Sequence, residues 1–198
     1  MKEVYYKEKK ASIWKNKKFL NILMGLFIIS IMVFSVLYYG LDTSGKKEVE
    51  FRGLTFIETN VGWQAYTKGN QRILISSNPE ELGDVSFDSV SLSFLQGLGI
   101  QKIYFSVNPE NDMSEALYDF QRNIPLSAGL VVACYEESIA CAKMPIKTCA
   151  DTAIGIVVVV FKEANETSVV IDGNCLTIEG KNLLSITDKL IIDQYADE

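Results

Sequence analysis

Residues 19–39, FLNILMGLFIISIMVFSVLYY, form one apolar run in which only Asn21, Ser30 and Ser35 interrupt and nothing is charged. As a helix this run is roughly 30 Å long, the thickness of a bilayer's hydrocarbon core. Beyond it the pattern breaks into short segments. Residues 53–77 predict two hairpins: GLTFIE, a T-N-V-G turn, WQAYTK, the pair Gly69-Asn70, then QRILIS. Gly-Asn supplies the positive φ angles of a tight turn, and β-branched and aromatic residues dominate the strands. In S-N-P-E-E-L, Asn78 suits a helix N-cap, Pro79 the first helical position, and Glu80 and Glu81 the positive end of the helix dipole. Residues 86–97 place Phe87, Val90, Phe94 and Leu95 on a helical stripe, although Val90, Leu92 and Phe94 also alternate as in a strand.

The second half alternates strand and helix. KIYFSV, 102–107, reads as a strand, and Asn108-Pro109-Glu110 as the start of a helix to about Arg122, with Met113, Ala116, Leu117 and Phe120 buried. GLVVACYE, 129–136, is apolar throughout, as in a strand covered on both faces. This is a βαβ unit, so strands 102–107 and 129–136 are expected to be parallel. AIGIVVVVF, 153–161, is another buried strand. Residues 167–171 and 174–178 form a hairpin about Asp172-Gly173, drawn as a meander with 153–161. A helix over 182–194 turns Leu183, Leu184, Ile186, Leu190 and Ile191 inward. The fold expected is a transmembrane helix followed by an α/β or α+β domain, a mixed sheet with helices packed on it.

Charge orients the chain. The segment before the span has seven lysines against two glutamates, +5, so the total of −6 leaves −11 for the rest. Lysines flanking a span stay cytoplasmic, which predicts the N-terminus inside and the domain outside the cell membrane. Trp14 suits the inner interface, and Tyr38 and Tyr39 the outer one. The organisation expected is a basic tail over 1–18, a span over 19–39, a juxtamembrane linker over 40–50 and an extracytoplasmic domain over 51–198. A cleaved signal peptide shares the basic start and apolar stretch. Here Leu37, Tyr38 and Tyr39 occupy the place of a small-residue cleavage motif, which favours an uncleaved anchor. The acidic balance argues against nucleic acid as a partner.

The four cysteines, Cys134, Cys141, Cys149 and Cys175, all follow the span. An even number outside the cytoplasm favours disulfides over free thiols. A zinc site is disfavoured by the absence of any C-x-x-C pair and of histidine. Three connectivities are possible. In the expected meander, the starts of strands 153–161 and 174–178 share one end of the sheet, which favours Cys149–Cys175 and leaves Cys134–Cys141 to close the neighbouring loop. On the chain-entropy model these contribute about 3.5 and 2.5 kcal/mol. Asn165-Glu166-Thr167 is a glycosylation sequon, meaningful only if the domain lies outside.

Histidine catalysis is excluded by composition, and Glu179-Gly180-Lys181-Asn182 lacks the upstream glycine and the hydroxyl of a phosphate loop. N-P-E-N-D-M lacks calcium-loop spacing, and no catalytic residue, cofactor or metal site is assigned. T-C-A at 148–150, the β-rich run after it, N-E-T at 165–167, N-C-L-T-I-E-G at 174–180, F-R-G-L-T-F at 51–56, Trp63 and the N-terminal span together resemble uncharacterised single-pass membrane proteins of archaea. The resemblance implies an anchored extracytoplasmic domain and no particular activity. The function expected is a binding or structural module, a subunit of a cell-envelope complex, with the lipid bilayer and an envelope protein as partners. The rival is an extracytoplasmic enzyme. It would be a thiol–disulfide oxidoreductase, or a hydrolase using a carboxylate pair such as Glu136–Glu137 or Glu80–Glu81.

Overall fold

The computed structural model describes residues 17–42 and 47–196. Most of the basic tail, Trp14 and linker residues 43–46 lie outside them. Two units follow one another, the first ending at Lys46 and the second beginning at Lys47. The first contains helix α1, Lys17–Asp42, whose stretch Leu20–Leu37 has a mean hydropathy of 2.5 and is long and apolar enough to cross a membrane.

The second unit opens with an antiparallel sheet in chain order: β1 Glu48–Phe51, β2 Leu54–Thr59, β3 Gly62–Tyr66 and β4 Arg72–Ile75. Its core face presents Val49, Phe56, Trp63, Ala65, Ile73 and Ile75. The expected linker over 40–50 is thus too long, because β1 already pairs with β2 from Glu48. Val49 is its single fully buried side chain, too few for a periodic signal. Arg52 (φ 53°) and Gly53 (φ 76°) make the two-residue turn into β2. Gly62 (φ 121°) starts β3 where a Cβ would stand 2.4 Å from the Ile75 carbonyl oxygen, so the β3–β4 approach requires glycine.

The second sheet contains β5 Lys102–Val107, β6 Gly129–Cys134, β7 Ile156–Glu163, β8 Ser168–Asp172 and β9 Cys175–Gly180, in the order β6-β5-β7-β9-β8. All pairs are parallel except β8–β9. β9 therefore inserts between β7 and β8, correcting the expected meander. Leu176 and Ile178 are fully buried, whereas β8 exposes Val170 and Asp172, so the more apolar strand takes the interior. β6 is an edge strand, and it is not covered on both faces as expected: Leu130 and Val131 are half-buried and Val132 is exposed.

Helices α2, Ser114–Asn123, and α3, Leu183–Tyr195, lie between the two sheets in one continuous apolar core. Phe105 of β5, Phe120 of α2 and Phe161 of β7 meet edge to face, with centroids 5.3, 5.6 and 5.8 Å apart. Such pairs add about 0.5–1.5 kcal/mol each beyond the area they bury. Because α3 is enclosed, Thr187, Asp188, Lys189 and Ile192 are buried along with the expected leucines and isoleucines.

Two expected helices are shorter than their patterns. Asn108 closes a turn, accepting from the Glu110 N–H (3.0 Å), and α2 starts only at Ser114, where Asp112 takes over as the polar partner. Residues 86–91 are irregular, and only Leu92–Gln96 forms a 3-10 helix, capped by the Ser91 hydroxyl. Serines and aspartates there compete with the helix for backbone partners. The irregular stretch is served instead by Gln194 of α3, which donates to the Val90 carbonyl (2.8 Å) and accepts from the Leu92 N–H (2.7 Å). Asn78 caps the 3-10 helix Pro79–Asp84.

Candidate functional site

In open parallel sheets ligands bind beyond the carboxyl ends of the strands. Here that position is a crevice of about 150 Å³ lined by Asp112, Glu115, Glu163, Lys181 and Asn182, with Met113 and Leu183 among the apolar residues. Two of its polar groups, Asp112 and Asn182, bond to the starts of α2 and α3. Asp112 accepts from the Ser114 hydroxyl at 2.7 Å, and the Ser114 bonds hold its carboxyl below the usual range. Asn182 accepts from the Ser185 N–H at 3.2 Å and caps α3. Beside the crevice, burial and then the Glu136 charge push the Tyr135 hydroxyl up, so it stays protonated. The space is smaller than the roughly 300 Å³ at which ligand pockets begin. Among the described residues no group of three carboxylates or cysteines is placed to hold a metal.

The four cysteines form two bridges. Cys134–Cys141 has Cα atoms 6.1 Å apart, and Cys149–Cys175 has them 5.3 Å apart. Both tie down the loop 135–151: Cys134–Cys141 at the end of β6, and Cys149–Cys175 on the sheet face away from the helices, where Val158, Val160 and Cys175 are buried with Tyr104, Tyr135 and Cys149 against them. The loop is also bonded to β6: the Cys134 N–H donates to the Pro145 carbonyl (2.9 Å), and the Lys147 N–H to the Cys134 carbonyl (2.8 Å). Lys102 and Lys147 sit 5.7 and 5.5 Å from the centre of the Tyr104 ring. Asp151 accepts from the Thr148 N–H (2.8 Å) and hydroxyl (3.1 Å), and these bonds, then Lys147, hold its carboxyl low. This capping box orients the 3-10 turn that carries Cys149.

The remaining sequence candidates stay apart. Asn165 is exposed on the turn between β7 and β8. Glu80 is paired with Lys47, and Glu81, Glu136 and Glu137 are exposed.

The buried carboxylates are others. Asp119 of α2 is fully buried, accepts from the Ser76 N–H (2.7 Å) and stands 2.7 Å from the Arg122 guanidinium. Asn123 donates to and accepts from the Leu74 backbone, at 2.7 and 2.8 Å, as a neighbouring strand would. Arg122 Nε also donates to the Leu74 carbonyl (2.8 Å). Asp188 of α3 accepts from the Ser77 N–H (2.8 Å), while its other oxygen is buried without a hydrogen-bond partner. Burial, and then the neighbouring Asp119, push the Asp188 carboxyl well above the carboxylate range. This cluster is enclosed, so its role is to close the open side of β4. The signal for it was a polar residue at an apolar helical position. Asp119 follows Ala116 by three and precedes Phe120, and Asp188 lies four residues from both Leu184 and Ile192.

No family model, curated protein or solved structure matches the chain. The class is therefore defined by the molecule itself. It has an N-terminal apolar helix, a signal or an anchor, and then a mixed α/β domain with two sheets and two disulfides. Such bridges persist in oxidising compartments, which suggests an extracytoplasmic domain.

Proposed function

We propose that the protein is a single-pass membrane protein, N-terminus inside, whose domain is an extracytoplasmic binding or structural module and a subunit of a cell-envelope complex. The observation that carries this reading is the pairing of a chargeless 18-residue stretch, Leu20–Leu37, with a domain braced by two disulfides. The first suits the bilayer, and the second suits the oxidising side of it. The lysine cluster before the span supports the orientation. At the crevice by the strand ends, Asp112 and Asn182 hold the starts of α2 and α3, which supports a structural use of these two side chains.

Crosslinking in intact membranes followed by purification of the chain tests this. A defined protein partner recovered in stoichiometric amount supports the module, and recovery of the chain alone overturns it. Protease added to intact cells should digest the domain and spare the tail, and the mature chain should keep Met1 or Lys2 at its start.

A further inference from the structure

Four strands have an open side: β1 and β4 in the first sheet, β6 and β8 in the second. An open edge is a row of unmatched N–H and C=O groups that pairs with another chain unless something blocks it. β1 carries Glu48 and Glu50, followed by Arg52. β4 is closed by Asp119, Arg122, Asn123 and Asp188. β8 ends in Asp172 and is preceded by Glu166 within the sequon. β6 is GLVVAC, without a charge or a proline.

The free groups on β6 can be assigned. Cys134 turns its N–H and C=O outward, to Pro145 and Lys147. In a strand that direction recurs every second residue, so Val132 and Leu130 also point outward. No hydrogen bond among the described residues takes their backbone groups. Val132 is 42 % exposed. Beside this edge lies a groove of about 450 Å³, between the start of β6 and the end of α2, lined by Gln121, Ile124, Leu126, Ala128 and Leu130 among others. The chain itself shows what the edge accepts: residue 146 bridges Cys134 in parallel, as the stub of a sixth strand that goes no further.

We propose that the outer edge of β6 is a β-addition site for an extended segment of a protein partner, a proposal that rests on the reading of the domain as a binding module. The backbone of the incoming segment would take up the free groups of Leu130 and Val132. Its side chains on the helix side would enter the groove. These are aliphatic or neutral polar, because a charge there would lose its hydration against Leu126 and Leu130 with no opposite charge free to meet it. Arg122, the nearest cation, is engaged by Asp119 and the Leu74 carbonyl.

The test uses the full chain in lipid nanodiscs and an arrayed library of ten-residue peptides with uncharged, β-branched centres. Binding peptides should slow amide exchange at Leu130 and Val132 by about tenfold or more, and leave Val169 and Ile171 of β8 unchanged. Val132→Lys should weaken peptide binding about tenfold or more, whereas Val170→Lys on β8 should leave it unchanged. If Val132→Lys fails to fold, the exchange map of the unaltered chain decides alone. The proposal is overturned if no peptide binds more tightly than about 1 mM, or if protection falls on β8. Protection of Leu130 and Val132 that appears without peptide and grows with protein density would assign the edge to a second copy instead. A partner crosslinked equally by the unaltered chain and by Val132→Lys would remove the edge and leave the module standing. Absence of any crosslinked partner would remove the module.

Discussion

Both sheets lay an apolar face against α2 and α3, yet the attachments differ. The five-stranded sheet meets the helices through side chains without polar atoms, with Phe105, Phe120 and Phe161 at the centre. The four-stranded sheet has an apolar face too, but its last strand is also hydrogen-bonded to the helices along residues 74–77. Apolar contact is non-directional and tolerates small slides. Hydrogen bonds to Leu74, Ser76 and Ser77 are met at one position of β4 only, so the polar contacts set the register of that sheet against the helices. The same contacts block the edge of β4, which the edge of β6 lacks.

The largest expected effect comes from removing the charge at the centre of the polar attachment. Asp119→Ala leaves the Arg122 guanidinium and the Ser76 N–H without their partner and should cost about 3–5 kcal/mol. Chemical denaturation measures the loss. Amide exchange should show β3 and β4 opening before β5 and β7, and uniform loosening of both sheets would erase the contrast drawn above.

On the opposite side of the five-stranded sheet, Cys149→Ser with Cys175→Ser should cost about 2–4 kcal/mol. Non-reducing peptide maps of the unaltered chain should recover Cys134–Cys141 and Cys149–Cys175. Here the exchange increase should centre on the loop 135–151 and spare β4.

Asn123→Ala removes the strand-like partner of Leu74 and should cost about 1–3 kcal/mol, read from the shift in the denaturation midpoint. A change within about 0.5 kcal/mol, the range of ordinary surface substitutions, would show that water replaces the amide and that register does not depend on it.

The smallest effect at neutral pH, and the most diagnostic, is that of Asp188→Asn. Burial raises the Asp188 pKa in the folded protein above its ordinary value of 3.8. The folded state thus keeps a proton that the unfolded chain gives up. This contribution is fully present below 3.8 and is lost as pH rises toward the folded-state pKa. Asp188→Asn keeps the bond from the Ser77 N–H with a neutral group, so it should be near neutral at low pH and progressively stabilising, relative to the native residue, as pH rises. Parallel pH profiles for the two proteins would mean that Asp188 is not held protonated against Asp119. Arg122, Lys189 and Asp193 are the other charged groups on α2 and α3 near this cluster, and they are common to both proteins.

Much of the fold was legible in local patterns. The strands at 102–107 and 153–161, the second observed as Ile156–Glu163, the hairpin about Gly173 and the closing helix follow from β-branched runs, positive-φ glycine and apolar periodicity. Boundaries failed where short polar side chains competed for the backbone, as at Asn108 and across 86–91. The cysteine pairing was reached from strand direction, which held, although the strand order behind it did not: β9 entered the sheet between β7 and β8 without reversing either. Of the candidate site, the sequon and the carboxylates on turns could be read but not weighed. The acids that carry structural consequence, Asp119 and Asp188, sit in apolar stripes and look like exceptions until a strand end is brought against them.

The sequence alone determined the chargeless stretch, its flanking charge, the even number of cysteines and the alternation of strands with helices, because these depend on residues near one another in the chain. The tertiary structure decided which strand lies inside the sheet and which at its edge, because burial on the second face is supplied by distant residues. It also decided that β4 would be closed and β6 left open. That outcome depends on where the end of α2 meets two strands that lie far apart in sequence, and no local pattern encodes that meeting.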